Sequence, residues 1–65
     1  MVCDIKEFIE NTFNIKVNFY YLNYEEKEDF LYYKLKNDYI IEIPKNRDEE
    51  SQKIINFVNF YFNMC

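Results

Sequence analysis

Seven of the twelve acidic residues of this 65-residue chain fall in two short runs: Glu25, Glu26, Glu28 and Asp29 around a single Lys27, and Asp48, Glu49 and Glu50. Carboxylates spaced along an exposed segment present a field like that of a row of phosphates, which suits a basic surface built to hold nucleic acid. Each run also has a plainer use, the first as a solvated connection and the second as charge compensating the positive end of a helix. Catalysis has less to work with. The chain contains no His, which removes the commonest general base, the commonest metal ligand and every Ser-His or Cys-His nucleophile pair. Thr12 and Ser51 are the only hydroxyls besides Tyr, and without Gly there is no phosphate-cradling Gly-rich loop. No catalytic residue, metal site or cofactor is expected. Cys3 and Cys65 stand at the two ends, too few for a zinc site without His; free thiols are the simplest reading, with a terminal staple or a thiol-linked dimer as alternatives.

The elements that must position these residues follow from periodicity. Asp4-Ile5-Lys6-Glu7 has the D-x-x-E form of a capping box and predicts a helix ending near Phe13, with Ile5, Phe8, Ile9 and Phe13 buried, Glu7 and Glu10 outward and Asn14 in the left-handed position. From Ile15 the period changes to two, and three strands are predicted over 15–22, 30–36 and 39–43, the last closed by Pro44. The acidic segment between the first two reads as a hairpin connection. Between the second and third, a loop of Asn37 to Tyr39 sets Leu35 beside Ile41 and Tyr33 beside Ile43; a loop one residue shorter would bury the Glu42 carboxylate beside Tyr33. The predicted fold is α+β, a single two-layer αβββα domain spanning 1–65, with a three-stranded antiparallel meander packed against two helices.

Parity divides the strands into two faces. Ile15, Val17, Phe19, Tyr21, Leu31, Tyr33, Leu35, Ile41 and Ile43 form the face beneath the helices; Tyr20, Leu22, Phe30, Tyr32 and Ile40 lie on the other among Lys16, Asn18, Lys34, Lys36 and Glu42. Tyr20, Phe30 and Tyr32 beside Lys34 and Lys36 have the makings of a base-stacking platform. A net charge of −4 and a pI near 4.6 argue against direct contact with nucleic acid or an anionic membrane, so protein contact is the expected use of these rings.

The stretch 48–65 predicts the longest helix, with Gln52, Asn56, Asn59 and Asn63 in one narrow polar stripe. Its apolar residues wrap about 220° of the circumference, whereas a helix lying on one core needs little more than ~100°. If Ile54, Val58, Tyr61 and Cys65 meet the sheet, with Phe57 at the edge, Ile55 and Phe62 remain on one flank and Phe60 and Met64 on the other. The first helix covers one flank only, so a homodimer through this surplus or through the aromatic sheet face is expected.

Sixty-five residues place the chain where a core supplies only about 3–5 kcal/mol, although fourteen aromatic rings offer unusual burial for the length. Asn, Ile, Lys, Tyr and Phe supply 38 of the 65 residues and Ala is absent, which points to an AT-rich gene such as those of low-GC bacteria and their phages. Neither a basic leader nor a continuous apolar run of spanning length is visible, and a cytoplasmic protein is expected.

In layout, a short acidic αβββα chain rich in Asn, Lys and Ile resembles several phage-encoded anti-CRISPR inhibitors. The resemblance implies a non-catalytic protein that blocks an RNA-guided nuclease by steric or DNA-mimicking contact through Glu25 to Asp29 and Asp48 to Glu50. The order of elements also resembles the N-terminal part of ImmA-type metallopeptidases. Here, however, the long helix reads Ile54-Ile55-Asn56-Phe57-Val58-Asn59-Phe60 where that family has its zinc-binding H-E-x-x-H, so its activity is not implied. A homo-oligomeric structural protein is the alternative of a different class.

Overall fold

Asp4 accepts the Glu7 amide at 3.0 Å and so starts the first helix, α1 (Ile5–Phe13), as the capping box requires. The computed structural model describes residues 4–64, apart from the side chains of Asn37 and Met64. Cys3 and Cys65, and with them any thiol pairing, lie outside the described residues. Asn14 ends α1 in the left-handed region, φ 52°, and returns its N–H to Glu10, doing in a Gly-free chain what Gly usually does. Ile5 and Ile9 are buried. Phe8, expected beside them, is instead half out in water, stacked on Phe57 at 5.0 Å. Glu10 does not face outward alone: its carboxylate accepts the Val17 amide at 3.1 Å and draws the chain after α1 toward the sheet.

The sheet comprises β1 (Asn18–Tyr21), β2 (Phe30–Lys34) and β3 (Tyr39–Pro44), and the long helix is α2 (Asp48–Met64). Short 3-10 turns, Lys36–Asp38 and Lys45–Arg47, precede β3 and α2. The αβββα order and the antiparallel pairing are as expected from the sequence, but the sheet is not a meander. Its strand order is β1-β3-β2, with β3 in the centre. The physical reason is composition: β3 carries Ile40, Ile41 and Ile43 and is buried at four successive positions, on both faces, which suits the central place in the sheet.

The register between β2 and β3 is also shifted by two residues from expectation. Tyr33 lies opposite Ile41 and Leu31 opposite Ile43. Asp38 takes up φ 64° and the Leu35 amide bonds the Tyr39 carbonyl at 2.6 Å, so the loop is Lys36 to Asp38. A shift of two preserves parity, so the paired residues of β2 and β3 keep their predicted faces, whereas Lys36, expected on the face without helices, lies in the 3-10 turn and reaches Asn63 of α2 with its Nζ at 2.8 Å.

Both helices lie on the face built from Val17, Phe19, Tyr33, Leu35, Ile41 and Ile43. Ile5, Ile9, Ile15, Ile54, Ile55 and Val58 complete the core there. Ile55 therefore belongs to the core, 8% exposed, and is withdrawn from the expected interface. No helix among the described residues is long and apolar enough to cross a membrane.

Candidate functional site

Because β1 and β2 both run antiparallel to β3, they are parallel to each other, and residues 22–29 must cross the sheet to join them. The acidic segment is thus a crossover and not the hairpin connection expected. It must cover about 20 Å, given ~3.4 Å per residue along the strands and ~4.8 Å between them. The nine Cα–Cα steps from Tyr21 to Phe30 reach about 30–32 Å when fully extended, so the segment spans the sheet with about a third of its reach in reserve. The crossover leaves β1 through a tight turn at Leu22, φ 68°, closed by the Asn23 amide on the Tyr21 carbonyl at 2.8 Å and by the Leu22 amide on the Asp38 carbonyl at 2.9 Å.

Its path lies over the face without helices. Tyr24 stacks on Tyr32 with ring centroids 5.0 Å apart, and the Lys27 amide donates to the Tyr32 hydroxyl at 2.8 Å. The far end is held by Lys45, whose amide donates to the Asp29 carbonyl at 3.0 Å and whose Nζ donates to the Glu28 carbonyl at 3.3 Å. Ile40, which parity places on this face, is only 4% exposed.

Beneath the crossover sits a carboxylate that strand parity alone assigns to an open surface. Glu42, in the centre of β3, is 1% exposed. Its Oε1 accepts from Asn18 Nδ2 at 2.9 Å; its Oε2 accepts from the hydroxyls of Tyr32 at 2.6 Å and Tyr20 at 3.2 Å. Asn18 faces Glu42 across β1, and Tyr32 faces it across β2. Burial pushes this carboxyl up, but the bonds from Asn18, Tyr32 and Tyr20, with the Lys27 charge, outweigh burial and leave it below its ordinary value. The Tyr32 hydroxyl moves the other way, pushed up to about 12, first by burial and then by donating to Glu42. Both carboxylate oxygens are occupied by donors of the chain itself, so the group organises the face and has no oxygen turned toward a ligand.

The two acidic runs are linked through Lys45, which holds the far end of the first and begins the turn that leads into the second. Glu25, Glu26, Glu28 and Asp29 are all exposed, and the crossover ends on Lys45. The Lys45–Arg47 turn leads straight into Asp48, Glu49 and Glu50. Asp48 and Glu49 are exposed; Glu50 is half-buried and paired with Arg47 at 2.7 Å, while Arg47 also donates to the Asn14 carbonyl at 2.9 Å. Six carboxylates are thus exposed, Glu26 among them accepting from the Tyr24 hydroxyl at 3.5 Å, while the seventh helps tie α2 to the end of α1.

The aromatic candidates divide. Tyr20 and Tyr32 are half-buried and committed to Glu42, and Phe30 is half-buried with Lys27 Nζ 6.0 Å from its ring. Phe62 is half-buried and stacks on Tyr39 at 5.7 Å; Phe60 is 63% exposed; the side chain of Met64 lies outside the described residues. Successive ring contacts join Phe8, Phe57, Tyr61, Phe62, Tyr39 and Tyr21 into one path around the end of α2. Among the described residues no group of three or more His, Cys, Asp or Glu is arranged to hold a metal ion. Comparisons with protein-family models, with curated proteins and with solved structures find no match to this chain.

Proposed function

We propose that this chain is a non-catalytic protein-binding module whose acidic crossover, with the start of α2, engages a basic surface of a nucleic-acid-handling partner. The observation that carries the reading is the state of residues 22–29: every side chain is exposed, yet the backbone is tied to the sheet at both ends and at Lys27. A charge array held in one conformation before binding loses less entropy on association than a free loop would. Such an array also steers encounter with a basic partner through long-range attraction. The resemblance of the sequence's layout to anti-CRISPR inhibitors makes an RNA-guided nuclease the first partner to try, with direct nucleic-acid contact disfavoured by the net charge of −4.

The test is a pull-down against such nucleases with the wild type and with Glu25, Glu26, Glu28 and Asp29 reversed to Lys. Recovery of a partner that is lost on reversal and weakened by salt supports the reading. Equal recovery by both proteins, insensitive to salt, overturns it.

Self-association is the second reading, favoured by Phe60 and the ring path beside it. A Phe ring 63% exposed offers on the order of 100–150 Å² of surface. Stable interfaces bury about 800 Å² per partner, so Phe60 alone falls well short and the other rings of the path would have to join it. Light scattering at high micromolar concentration decides between the two readings: a dimer that Phe60→Asp converts to monomer favours assembly, and a wild-type monomer removes it.

A further inference from the structure

We infer that Tyr32, oriented by Glu42, is the positioning residue of the acidic crossover, fixing the shape in which its carboxylates meet a partner. This inference rests on the binding role proposed above for the crossover. The ends of the segment are fastened by backbone bonds and by the Lys45 side chain: Leu22 to Asp38, Asn23 to Tyr21, and Glu28 and Asp29 to Lys45. Its middle meets the sheet differently. Tyr24 lies on the Tyr32 ring and the Lys27 amide ends on the Tyr32 hydroxyl, so one side chain meets both points; the Lys27 carbonyl also accepts the Phe30 amide at 3.3 Å in the turn into β2.

The direction of the hydrogen bonds depends on Glu42. The Tyr32 hydroxyl has one proton and gives it to Glu42 Oε2 at 2.6 Å, which leaves its lone pair for the Lys27 N–H at 2.8 Å. A donor at the Oε2 position would compete for that lone pair. Asn18 and Tyr20 hold the carboxylate from the opposite side, so its orientation does not depend on the crossover. The chain of bonds therefore runs from the centre of β3, through Tyr32, to the one backbone amide in the midst of Glu25, Glu26, Glu28 and Asp29.

Tyr32→Phe tests this, since it keeps the ring under Tyr24 and removes only the hydroxyl. Two quantities are read: exchange of the Lys27 amide relative to that of Ile41 by NMR, and affinity for an oligoarginine peptide. Loss of one hydrogen bond predicts exchange at Lys27 about 3- to 10-fold faster than any change at Ile41, with peptide affinity lower by a similar factor. A role in stability alone would move both amides together. Glu42→Gln, which keeps the shape of the side chain, is the second variant and is expected to loosen Lys27 in the same local way.

Unchanged relative exchange at Lys27 in both variants overturns the inference, whatever the peptide does. Faster exchange with undiminished affinity, in a protein whose Glu25, Glu26, Glu28 and Asp29 reversal does weaken the peptide, overturns the positioning role and leaves the acidic binding reading standing. If charge reversal itself leaves affinity unchanged, the binding reading fails, and the Lys27 exchange still decides whether Tyr32 orders the crossover.

Discussion

The two faces of the central strand are covered by different means. On one, Ile41 and Ile43 point into a dry layer with Ile9, Ile54 and Val58, all fully buried. On the other, Glu42 is just as inaccessible, but what closes over it is Asn18, two phenols and an eight-residue crossover. Each aliphatic side chain contributes about 1.5–3 kcal/mol through burial, with no opposing desolvation of charge. The carboxylate gains bonds of about 1.5–3 kcal/mol each but pays several kcal/mol to leave water, so its face is close to neutral in net stability. The helix face makes the domain stable; the crossover face sets where a charged segment lies.

The comparison predicts its largest effect on the helix face. Ile41→Ala, at a position of β3 with no exposure in the aliphatic core, should cost about 2–5 kcal/mol, as much as the whole stability expected of a core this size. Circular dichroism of the variant should show a chain largely unfolded at 25 °C. A folded variant with a denaturant midpoint near that of the wild type would mean that the aliphatic layer is not what holds the domain.

A smaller effect, with a distinctive dependence on pH, is expected on the crossover face. Glu42→Gln keeps shape but replaces one acceptor oxygen by a donor, and should cost about 1–3 kcal/mol at pH 7. Because the Glu42 carboxyl is held below its ordinary 4.5 in the folded protein, the unfolded chain binds the proton more readily. Its contribution is therefore present above pH 4.5 and is lost as pH falls through the folded value. Wild type and Glu42→Gln should converge in stability on acidification; curves that stay parallel would show that the charge on Glu42 is irrelevant to the face. Tyr32 gives the alkaline counterpart. With its hydroxyl pushed up to about 12, the bond to Glu42 is intact below pH 10 and is lost as pH rises toward 12. One tyrosine should accordingly ionise near pH 12 in the ultraviolet titration and be missing from it in Tyr32→Phe.

The same contrast explains what could be read from the chain. Period-two alternation assigns residues to faces, and parity placed Asn18, Tyr20, Tyr32 and Glu42 together on one side. All members of the carboxylate box were therefore legible as a group. Which strands are neighbours is not a property of alternation; sequential strands adjoin roughly two-thirds of the time, and the meander followed from that tendency. The signal passed over was Glu42 itself, a lone carboxylate within Tyr39-Ile40-Ile41-Glu42-Ile43-Pro44. A charge inside so β-branched a run belongs to a central strand and needs donors, and the tyrosines of matching parity were the only aromatic donors on that face. The α1 cap was fully legible because it depends on neighbours three residues apart. The exposure of Phe8 was not, because it depends on where Phe57 of α2 comes to lie.

The smallest predicted effect lies where the chain leaves the helix face for the other, at Leu22. This residue holds φ 68° without being Gly, Asn or Asp, a conformation that costs an L-residue about 1–2 kcal/mol. Removing its half-exposed side chain also changes the apolar area it buries, so a single substitution mixes two effects; comparing two substitutions separates them. Leu22→Ala and Leu22→Gly lose the same contacts, but only Gly is free of the Cβ that opposes a positive φ. Against this, Gly adds about 0.5–1 kcal/mol of chain entropy to the unfolded state. Gly should therefore exceed Ala in stability by about 0.5–1 kcal/mol at position 22, the reverse of their order at an exposed helical site such as Lys53. Urea midpoints of the four variants check both orders. If Ala equals or exceeds Gly at position 22, the turn relaxes out of the left-handed region at little cost, and the crossover is less sharply directed over the Glu42 face than its hydrogen bonds require.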